Sequence, residues 1–147
     1  MKRIDIEAPP VPFVKTPADD GTGAARFSPD GRWVAYGSAE SGNLQIHVKP
    51  FPSGEARQVT FDAAAEASEP RWSADGKVLF FVRGGALWRC DFDPASGRAG
   101  EARRLFETRA IAYEPTADGK FLVVLPGEGA DAAATRVVVN FERLLER

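Results

Sequence analysis

The chain has 147 residues, of which 44% are hydrophobic, and its 19 basic and 21 acidic side chains give a net charge of −2. This composition fits one soluble globular domain, and no basic run is long enough to follow a nucleic-acid backbone, so we expect no nucleic-acid partner. The only cysteine, Cys90, and the only histidine, His47, exclude an intrachain disulfide and are too few for a cysteine- or histidine-based metal site. We therefore predict neither a metal nor a cofactor.

The amino-terminal residues lack the pattern of a secretory leader. Acidic residues and prolines follow the basic start, and no later segment is long and apolar enough to span a membrane. We expect no membrane span and a cytoplasmic location for the chain as written, whereas a longer parent protein could place it in the periplasm or outside the cell. Residues 1–6 alternate in polarity and residues 13–16 match residues 105–108, and we interpret both segments as outermost strands.

One hairpin motif occurs three times along the chain, in residues 25–36, 70–81 and 114–124. In the first copy Ser28 suits the start of a type I turn, and Pro29 fixes the φ angle of the second position. Asp30 can hydrogen-bond to the local backbone, and Gly31 accepts the positive φ that the turn requires. The residues assigned to structural turns are Ser28, Pro29, Asp30, Gly31, Asp75, Gly76, Asp118 and Gly119.

The spacing of these turns indicates the architecture. Asp30 and Asp75 are 45 residues apart, and Asp75 and Asp118 are 43 residues apart. A strand-rich unit that returns at this period is typical of a propeller blade. We predict an all-β chain of about three β-propeller blades, each a four-stranded antiparallel sheet. The predicted units are strands of a preceding or closing blade at 1–20, blades at 21–62 and 63–108, and a last blade at 109–147.

The first two blades follow this pattern in chain order. Residues 44–49 alternate strictly, which predicts a half-buried strand, and residues 62–67 lie between repeats as a connector. Residues 78–82 form a continuous apolar run, which predicts a strand covered on both faces. Gly84 and Gly85 then predict a two-residue hairpin turn. The strands that close the two blades are predicted at 57–60 and 105–108.

The last blade has only three predicted strands. Strands at 121–125 and 135–140 flank a long loop at 127–134, and residues 141–145 suggest a short amphipathic helix. Propellers close with four to eight blades, so three blades form an open arc with exposed edges. Residues 13–16 have the character of the missing fourth strand. We therefore predict a homodimer in which each copy donates this strand and a six-bladed ring closes.

The repeats at 25–36 and 69–76, together with residues 46–52, resemble the TolB-type propeller, a WD-like repeat of bacterial proteins. Residues 137–145 resemble the end of the carboxy-terminal propeller region in bacterial serine/threonine kinase-associated proteins. The third repeat departs from the pattern, because Ala117 replaces the turn proline and Pro115 stands where Phe27 and Trp72 stand in the other copies. The resemblance implies binding of proteins, peptides or cell-wall components rather than catalysis.

The candidate binding residues lie on the first strand of each blade. Arg26, Arg71 and Glu114 share one register there, and Glu69 lies beside them. They could line the channel and bind a peptide or a carboxylate, or they could pair with one another as a channel wall, and the frequency of structural ion pairs favours the second interpretation. The large aromatic residues are interpreted as packing between blades: Phe27, Trp33, Trp72, Phe80 and Trp88.

No residue is assigned a catalytic role. Ser28 and Ser73 lie in turns where each hydroxyl has a local backbone partner, and the chain contains no G-x-S-x-G motif. His47 is interpreted as a surface or inter-blade packing residue. The functional hypothesis is a non-enzymatic module for protein or ligand interaction. Two alternatives stay open: an accessory propeller of a hydrolase or sensor kinase whose catalytic domain is absent from this chain, and a fragment without an independent task.

Overall fold

The computed structural model describes residues 9, 12–14, 25–110, 112–125 and 134–138, the last of these as backbone only. These residues form strands and no helix, which confirms the predicted all-β class. The strands form three antiparallel sheets, which we call the first (β1–β4), second (β5–β9) and third (β10–β12) sheets. Their bounds are β1 Arg26–Phe27, β2 Trp33–Ser38, β3 Gln45–Pro50, β4 Arg57–Gln58, β5 Ala67–Trp72, β6 Val78–Arg83, β7 Ala86–Asp93, β8 Arg98–Ala99, β9 Arg103–Glu107, β10 Ala112–Pro115, β11 Phe121–Leu125 and β12 Ala134–Val138.

The β1–β2 turn has the predicted hydrogen bonds. The Ser28 hydroxyl donates to the Asp30 carboxylate at 2.6 Å and accepts the Trp33 amide at 3.0 Å. The Gly31 amide donates to the Ser28 carbonyl at 2.8 Å, and Gly31 has a φ of 70°. The β5–β6 turn repeats this arrangement around Ser73, Asp75 and Gly76.

The β10–β11 turn is one residue shorter than the other two. Pro115 pairs with Phe121, six positions later, whereas Trp72 pairs with Leu79, seven positions later. Thr116 takes the place of the serine and accepts the Lys120 amide at 3.0 Å, while Gly119 keeps a positive φ of 79°. Because side chains alternate between the faces of a strand, the shorter turn places Phe121 on the face that Leu79 occupies in the second sheet.

The sheets stack face to face and enclose two cores. Leu79 and Phe81 belong to the core between the first and second sheets, and Phe80 belongs to the core between the second and third. The prediction that 78–82 is covered on both faces is therefore confirmed. The first core contains Trp33, Ala35, Ile46, Val48, Val59, Ala67, Trp72, Leu79, Phe81, Cys90 and Phe92, and the second contains Phe80, Leu87, Leu105, Tyr113, Phe121 and Val123.

Strand β3 differs from the half-buried strand that its alternation predicts, because every residue from Gln45 to Val48 is buried. Gln45 is a polar residue that the fold satisfies internally. Its amide nitrogen donates to the carbonyls of Asp62 at 2.8 Å and Ala65 at 3.1 Å, and its amide oxygen accepts the Thr60 hydroxyl at 2.6 Å. The 62–67 connector is thus fixed to the first sheet without forming a helix, as predicted.

The outer strands are the least predictable part of each sheet. β4 contains only Arg57–Gln58, and β8 at Arg98–Ala99 is a short strand that the sequence pattern does not indicate. The strand predicted at 13–16 is not formed at Phe13 and Val14, and Phe13 instead accepts a hydrogen bond from the Lys49 ammonium on its carbonyl at 2.6 Å. The predictions for residues 1–6, 15–16, 127–133 and 139–145 lie outside the described residues. None of the described residues forms a helix that could span a membrane.

Candidate functional site

The candidate site is a polar cluster on β5 and β10, at the adjoining edges of the second and third sheets. A bulge in β5 forms it, since the register with β6 shifts between Ser68 and Arg71. Within this bulge Glu69 has a φ of 53°, the only positive φ of a non-glycine residue in the described part of the chain. Bulges re-aim side chains, and strained backbone tends to occur at functional positions. The bulge therefore indicates that Glu69 and Arg71 are candidate functional residues.

Arg71 is the centre of the cluster, and its guanidinium is almost fully buried. Its Nε lies 3.1 Å from Glu114 Oε2 and its Nη2 lies 3.2 Å from Glu69 Oε2. Its Nη1 donates to the Pro70 carbonyl at 2.9 Å. All three guanidinium nitrogens therefore have protein partners, and the arginine joins β5 to β10 across the sheet boundary.

Tyr113 is a buried residue that contacts both Glu69 and Arg71 of the cluster. Its hydroxyl donates to the Glu69 carbonyl at 2.6 Å, and the Arg71 guanidinium lies 5.6 Å from the centre of its ring. Burial raises the pKa of the Tyr113 hydroxyl well above its usual range, and the neighbouring Arg71 opposes this shift. Tyr113 therefore stays neutral and donates to the strained residue of the bulge. Its role is not visible in the sequence, because a single tyrosine within a strand belongs to no motif or spacing pattern.

The four predicted binding residues do not all meet. Arg26, Arg71 and Glu114 do share one register, since they pair with Ala35, Phe80 and Leu122. Only Arg71, Glu69 and Glu114 are joined by ion pairs, whereas the Arg26 guanidinium donates to the Ala25 carbonyl at 3.1 Å. Arg71, Glu69 and Glu114 are thus paired with one another, and their position along a channel stays a prediction.

The exposed side of the cluster is acidic. Glu114 and Glu69 each contact Arg71 through one carboxylate oxygen, and both side chains are accessible to solvent. Their remaining lone pairs could accept donors from a ligand, because a carboxylate offers about four acceptor positions. These acceptor positions suit a cationic or amide-bearing group, while Arg71 balances part of the negative charge and positions the two carboxylates.

The single histidine and the single cysteine are structural. His47 is buried, which excludes the surface alternative, and its ring stacks on Tyr36 with 5.8 Å between centroids. Burial raises the pKa of the Cys90 thiol to about 12, so the thiol is protonated and unreactive at neutral pH. Within the described residues there is no cluster of three histidine, cysteine or carboxylate side chains that could hold a metal ion.

A second feature emerges when equivalent residues of the sheets are compared. In the second sheet Trp72 and Phe92 form an edge-to-face pair at 4.9 Å, buried against Trp33 of the first sheet. In the first sheet Phe27 and Phe51 form the equivalent pair at 5.0 Å. The buried pair is only 8% and 3% exposed, whereas Phe27 is 56% and Phe51 46% exposed. No described sheet packs on Phe27, so its interpretation as a packing residue between blades stays a prediction.

Comparison with known proteins places the fold among propellers. No family model matches the chain. It is 39% identical over 54 residues to tricorn protease homolog 1 of Streptomyces coelicolor, and 40% identical over 55 residues to the uncharacterised peptidase YuxL of Bacillus subtilis. Each match covers 37% of this chain, but the chain spans only 5% and 8% of these relatives.

Solved structures give a broader match. TolB from Acinetobacter baumannii is 27% identical with a TM-score of 0.58, over 79% of this chain and 30% of the TolB chain. A puromycin hydrolase mutant has a TM-score of 0.55 at 21% identity, over 83% of this chain and 21% of that chain, which shows the fold alone. The structural neighbours are thus TolB-type propellers and the propeller domains of peptidases. The resemblance to kinase-associated proteins stays a prediction.

Proposed function

We propose that this chain is a non-enzymatic propeller module for protein or ligand interaction, and that the outer faces of its first and third sheets bind another propeller segment. The observation that carries the proposal is the exposed Phe27–Phe51 pair, whose equivalent in the second sheet is buried by a neighbouring sheet. An aromatic pair of this geometry gains most of its stabilising energy from burial. Val34, Tyr36 and His47 on the same face of the first sheet are buried, so the surface left for a further blade is the corner around Phe27 and Phe51.

The second sheet shows how a preceding blade packs on the blade that follows it. There Trp33 of the first sheet packs edge-to-face on Phe92 at 5.3 Å, and its indole nitrogen donates to the Pro94 carbonyl at 3.1 Å. In the first sheet Phe13 contacts Phe51 at 5.7 Å between ring centres, in a tilted arrangement with 47° between the ring planes. Even so, Phe51 and Phe27 keep about half of their surface exposed. A partner that supplies a further apolar side chain would complete this packing.

The third sheet presents the complementary face. Phe121 and Val123 are buried against the second sheet, while Leu122 on the opposite face of β11 is 38% exposed. Val124, two residues further along the same face, is half-buried, and Ala112 is its exposed partner in β10. This face combines these apolar residues with Glu114, which pairs with Leu122, and no described sheet packs on it.

The partner that fits both faces is a second copy of this chain. In a two-fold symmetric pair, the third sheet of each copy would meet the first sheet of the other, so that one kind of contact forms twice. Exchange of residues 13–16, which would pair as a strand with β12 of the other copy, is part of this proposal. The assembly would be a ring of two half-rings, with the Arg71 cluster facing its channel and available to a peptide ligand.

The first experiment is the solution mass of the purified chain, by light scattering coupled to size exclusion at several concentrations. We expect about twice the 15.9 kDa of one chain. Leu122→Asp would place a charge in both symmetric contacts and should shift the mass to that of a single chain. Ala95→Asp introduces the same charge at an exposed turn of the second sheet and should leave the mass unchanged.

Either of two results would contradict this assembly. One is a single-chain mass at every concentration, and the other is a double mass that survives both Leu122→Asp and Phe27→Asp. The circular dichroism of each variant shows whether the strands have been kept, so that loss of assembly is distinguished from loss of folding.

A second candidate function is an accessory propeller of a peptidase. It is favoured by the two curated relatives, both of which are named as peptidases. In that case the open faces would pack against further blades of a longer chain, and the purified chain would be a monomer. Sequencing of the gene upstream of Met1 and downstream of Arg147 separates the two candidates, since the second requires a reading frame that continues into a hydrolase domain.

A further inference from the structure

A groove lies between the outer edges of the first and second sheets, away from the open faces and from the Arg71 cluster. Its volume is about 630 Å³, which is within the usual range for sites that hold a small ligand or a few side chains. Residues of β4, the segment that follows it, and β8 with its flanking turns form its walls. No predicted site residue lies in it.

The floor of the groove is apolar. Val59 is buried in the core between the first and second sheets, and Ala99 and Ala102 pack against that core. At the rim Phe61 is 75% exposed, the most exposed large hydrophobic side chain among the described residues. An exposed phenylalanine beside a concave apolar floor offers a contact surface to an incoming apolar side chain.

Three arginines surround this floor, opposed by two carboxylates. Arg57, Arg83 and Arg98 line the groove together with Asp62 and Glu101. In a protein with a net charge of −2, this lining has a local surplus of positive charge. Guanidinium groups match the geometry of carboxylates, which they can bind through two parallel hydrogen bonds.

The carboxylate of Asp62 is already engaged. Its Oδ1 accepts the Ala64 amide at 2.9 Å, and its Oδ2 lies 3.9 Å from Arg83 Nε. Arg83 is held in turn over the ring of Trp88, with its guanidinium carbon 3.6 Å from the ring centre. With this pair engaged, the other charged lining residues are Arg57, Arg98 and Glu101, which together carry one surplus positive charge.

Arg57 and Arg98 lie on different sheets and are both exposed. Arg57 is positioned by a hydrogen bond from its Nη1 to the Ser96 carbonyl in the β7–β8 turn. Arg98 is the β8 residue paired with Asp93, whose carboxylate accepts the Ala95 amide and the Ser96 hydroxyl of the same turn. The β7–β8 turn therefore positions both arginines at this groove.

We infer that this groove binds an acidic peptide segment, with an apolar side chain on the floor beside Phe61 and a carboxylate between Arg57 and Arg98. Charge complementarity and the apolar floor both point to a ligand that combines the two kinds of side chain. A nucleic acid fits less well, because its backbone needs a longer row of cationic contacts than this groove provides. The site is independent of the proposed assembly faces.

The test uses a fluorescein-labelled hexapeptide of alternating glutamate and leucine, titrated with the full chain and followed by fluorescence anisotropy. We expect Arg98→Gln and Phe61→Ser each to raise the Kd about fivefold, the size of one exposed charge pair or one partly buried apolar contact. Arg103→Gln is the matched control. It removes the same charge from an exposed position on β9 outside the groove, and its Kd should stay within about twofold of the unmodified chain.

Three outcomes would overturn the inference. They are no binding of the glutamate–leucine peptide, equal weakening of binding by the three variants, and binding of a lysine–leucine peptide as tight as that of the acidic one. Tighter binding of a six-nucleotide thymidine strand that depends on Arg98 would assign the groove to a nucleic acid instead. Phe61, Arg98 and Arg103 are all exposed, so we expect each variant to keep the melting temperature of the unmodified chain. Thermal melting of each variant checks this and distinguishes a changed Kd from unfolding.

Discussion

The acidic residues of the three hairpin turns are stabilised in their ionised form. The Ser28 hydroxyl and then the Arg32 amide lower the pKa of Asp30 from its ordinary value of 3.8. In the second turn Ser73 and the Lys77 amide lower the pKa of Asp75 in the same way. In each of these two turns, one serine hydroxyl therefore hydrogen-bonds both to the aspartate carboxylate and to a backbone amide of the returning strand. The recurrence of this arrangement explains why the turn is so recognisable in the sequence.

Ser28→Ala should raise the pKa of Asp30 towards its ordinary value and leave that of Asp75 unchanged. Because folding lowers these pKa values, the ionised carboxylates stabilise the fold above about pH 4. This contribution is lost as the pH falls through the folded-state values. Carboxyl chemical shifts followed by NMR from pH 2 to pH 7 measure both residues in one titration. An unchanged Asp30 pKa in the variant would show that the serine is not its main partner.

At the scale of elements, the β7–β8 turn is fitted closely to the first sheet. Gly97 has a φ of 68°, and a β-carbon built on it would lie 2.1 Å from the Trp33 ring. Gly31 has almost the same φ of 70°, but a β-carbon there would have open space around it. Gly31 is therefore required only for its backbone conformation. Gly97 is required for its conformation and also because the Trp33 ring leaves no room for a side chain.

Gly97→Ala should lower the free energy of unfolding by about 3 kcal/mol, because strain from the positive φ adds to a clash with a buried ring. Gly31→Ala should cost about 1 kcal/mol, from the backbone strain alone. Urea denaturation followed by tryptophan fluorescence measures both changes. Equal losses for the two variants would mean that Trp33 moves aside without cost.

The sequence predicted the elements with strong local chemistry. The turns at Asp30 and Asp75, the Gly84–Gly85 hairpin and the doubly covered strand at 78–82 are all formed, since each depends on residues close together in the chain. The bulge at Glu69 was not predictable, because its hydrogen-bond partner Tyr113 lies in another sheet. The strand β8 was not predictable, because two residues are too few to show an alternating pattern. In the candidate site, the shared register of Arg71 and Glu114 was predictable from the repeat. The hydrogen-bond partner of Arg26 was not predictable, because the conformation of its side chain determines that partner.

At the scale of the whole molecule, stability is shared between neighbouring sheets. Stacked repeats are held by contacts with adjacent units, so each boundary contributes separately to the stability of the whole. The boundary between the second and third sheets depends on its apolar core and on the ion pairs of Arg71 with Glu69 and Glu114. Removal of Arg71 should therefore affect the third sheet before the rest of the molecule.

Arg71→Ala should destabilise the third sheet by about 2 kcal/mol, because it leaves the Pro70 carbonyl and two carboxylates without their donor. Hydrogen exchange measured by mass spectrometry should become faster in β11, while β2 keeps its protection. Arg104→Ala is the control, since it removes only an exposed ion pair with Glu107 inside the second sheet. Faster exchange throughout the chain would show that the three sheets unfold as one unit.

The shorter β10–β11 turn limits where genetic recombination between the repeats can take place. A crossover that joined the five-residue turn from Thr116 to Lys120 to the unaltered strand β2 would shift β2 by one residue. The residues on the two faces of β2 would then be exchanged. A viable crossover therefore has to keep each turn together with the returning strand that follows it.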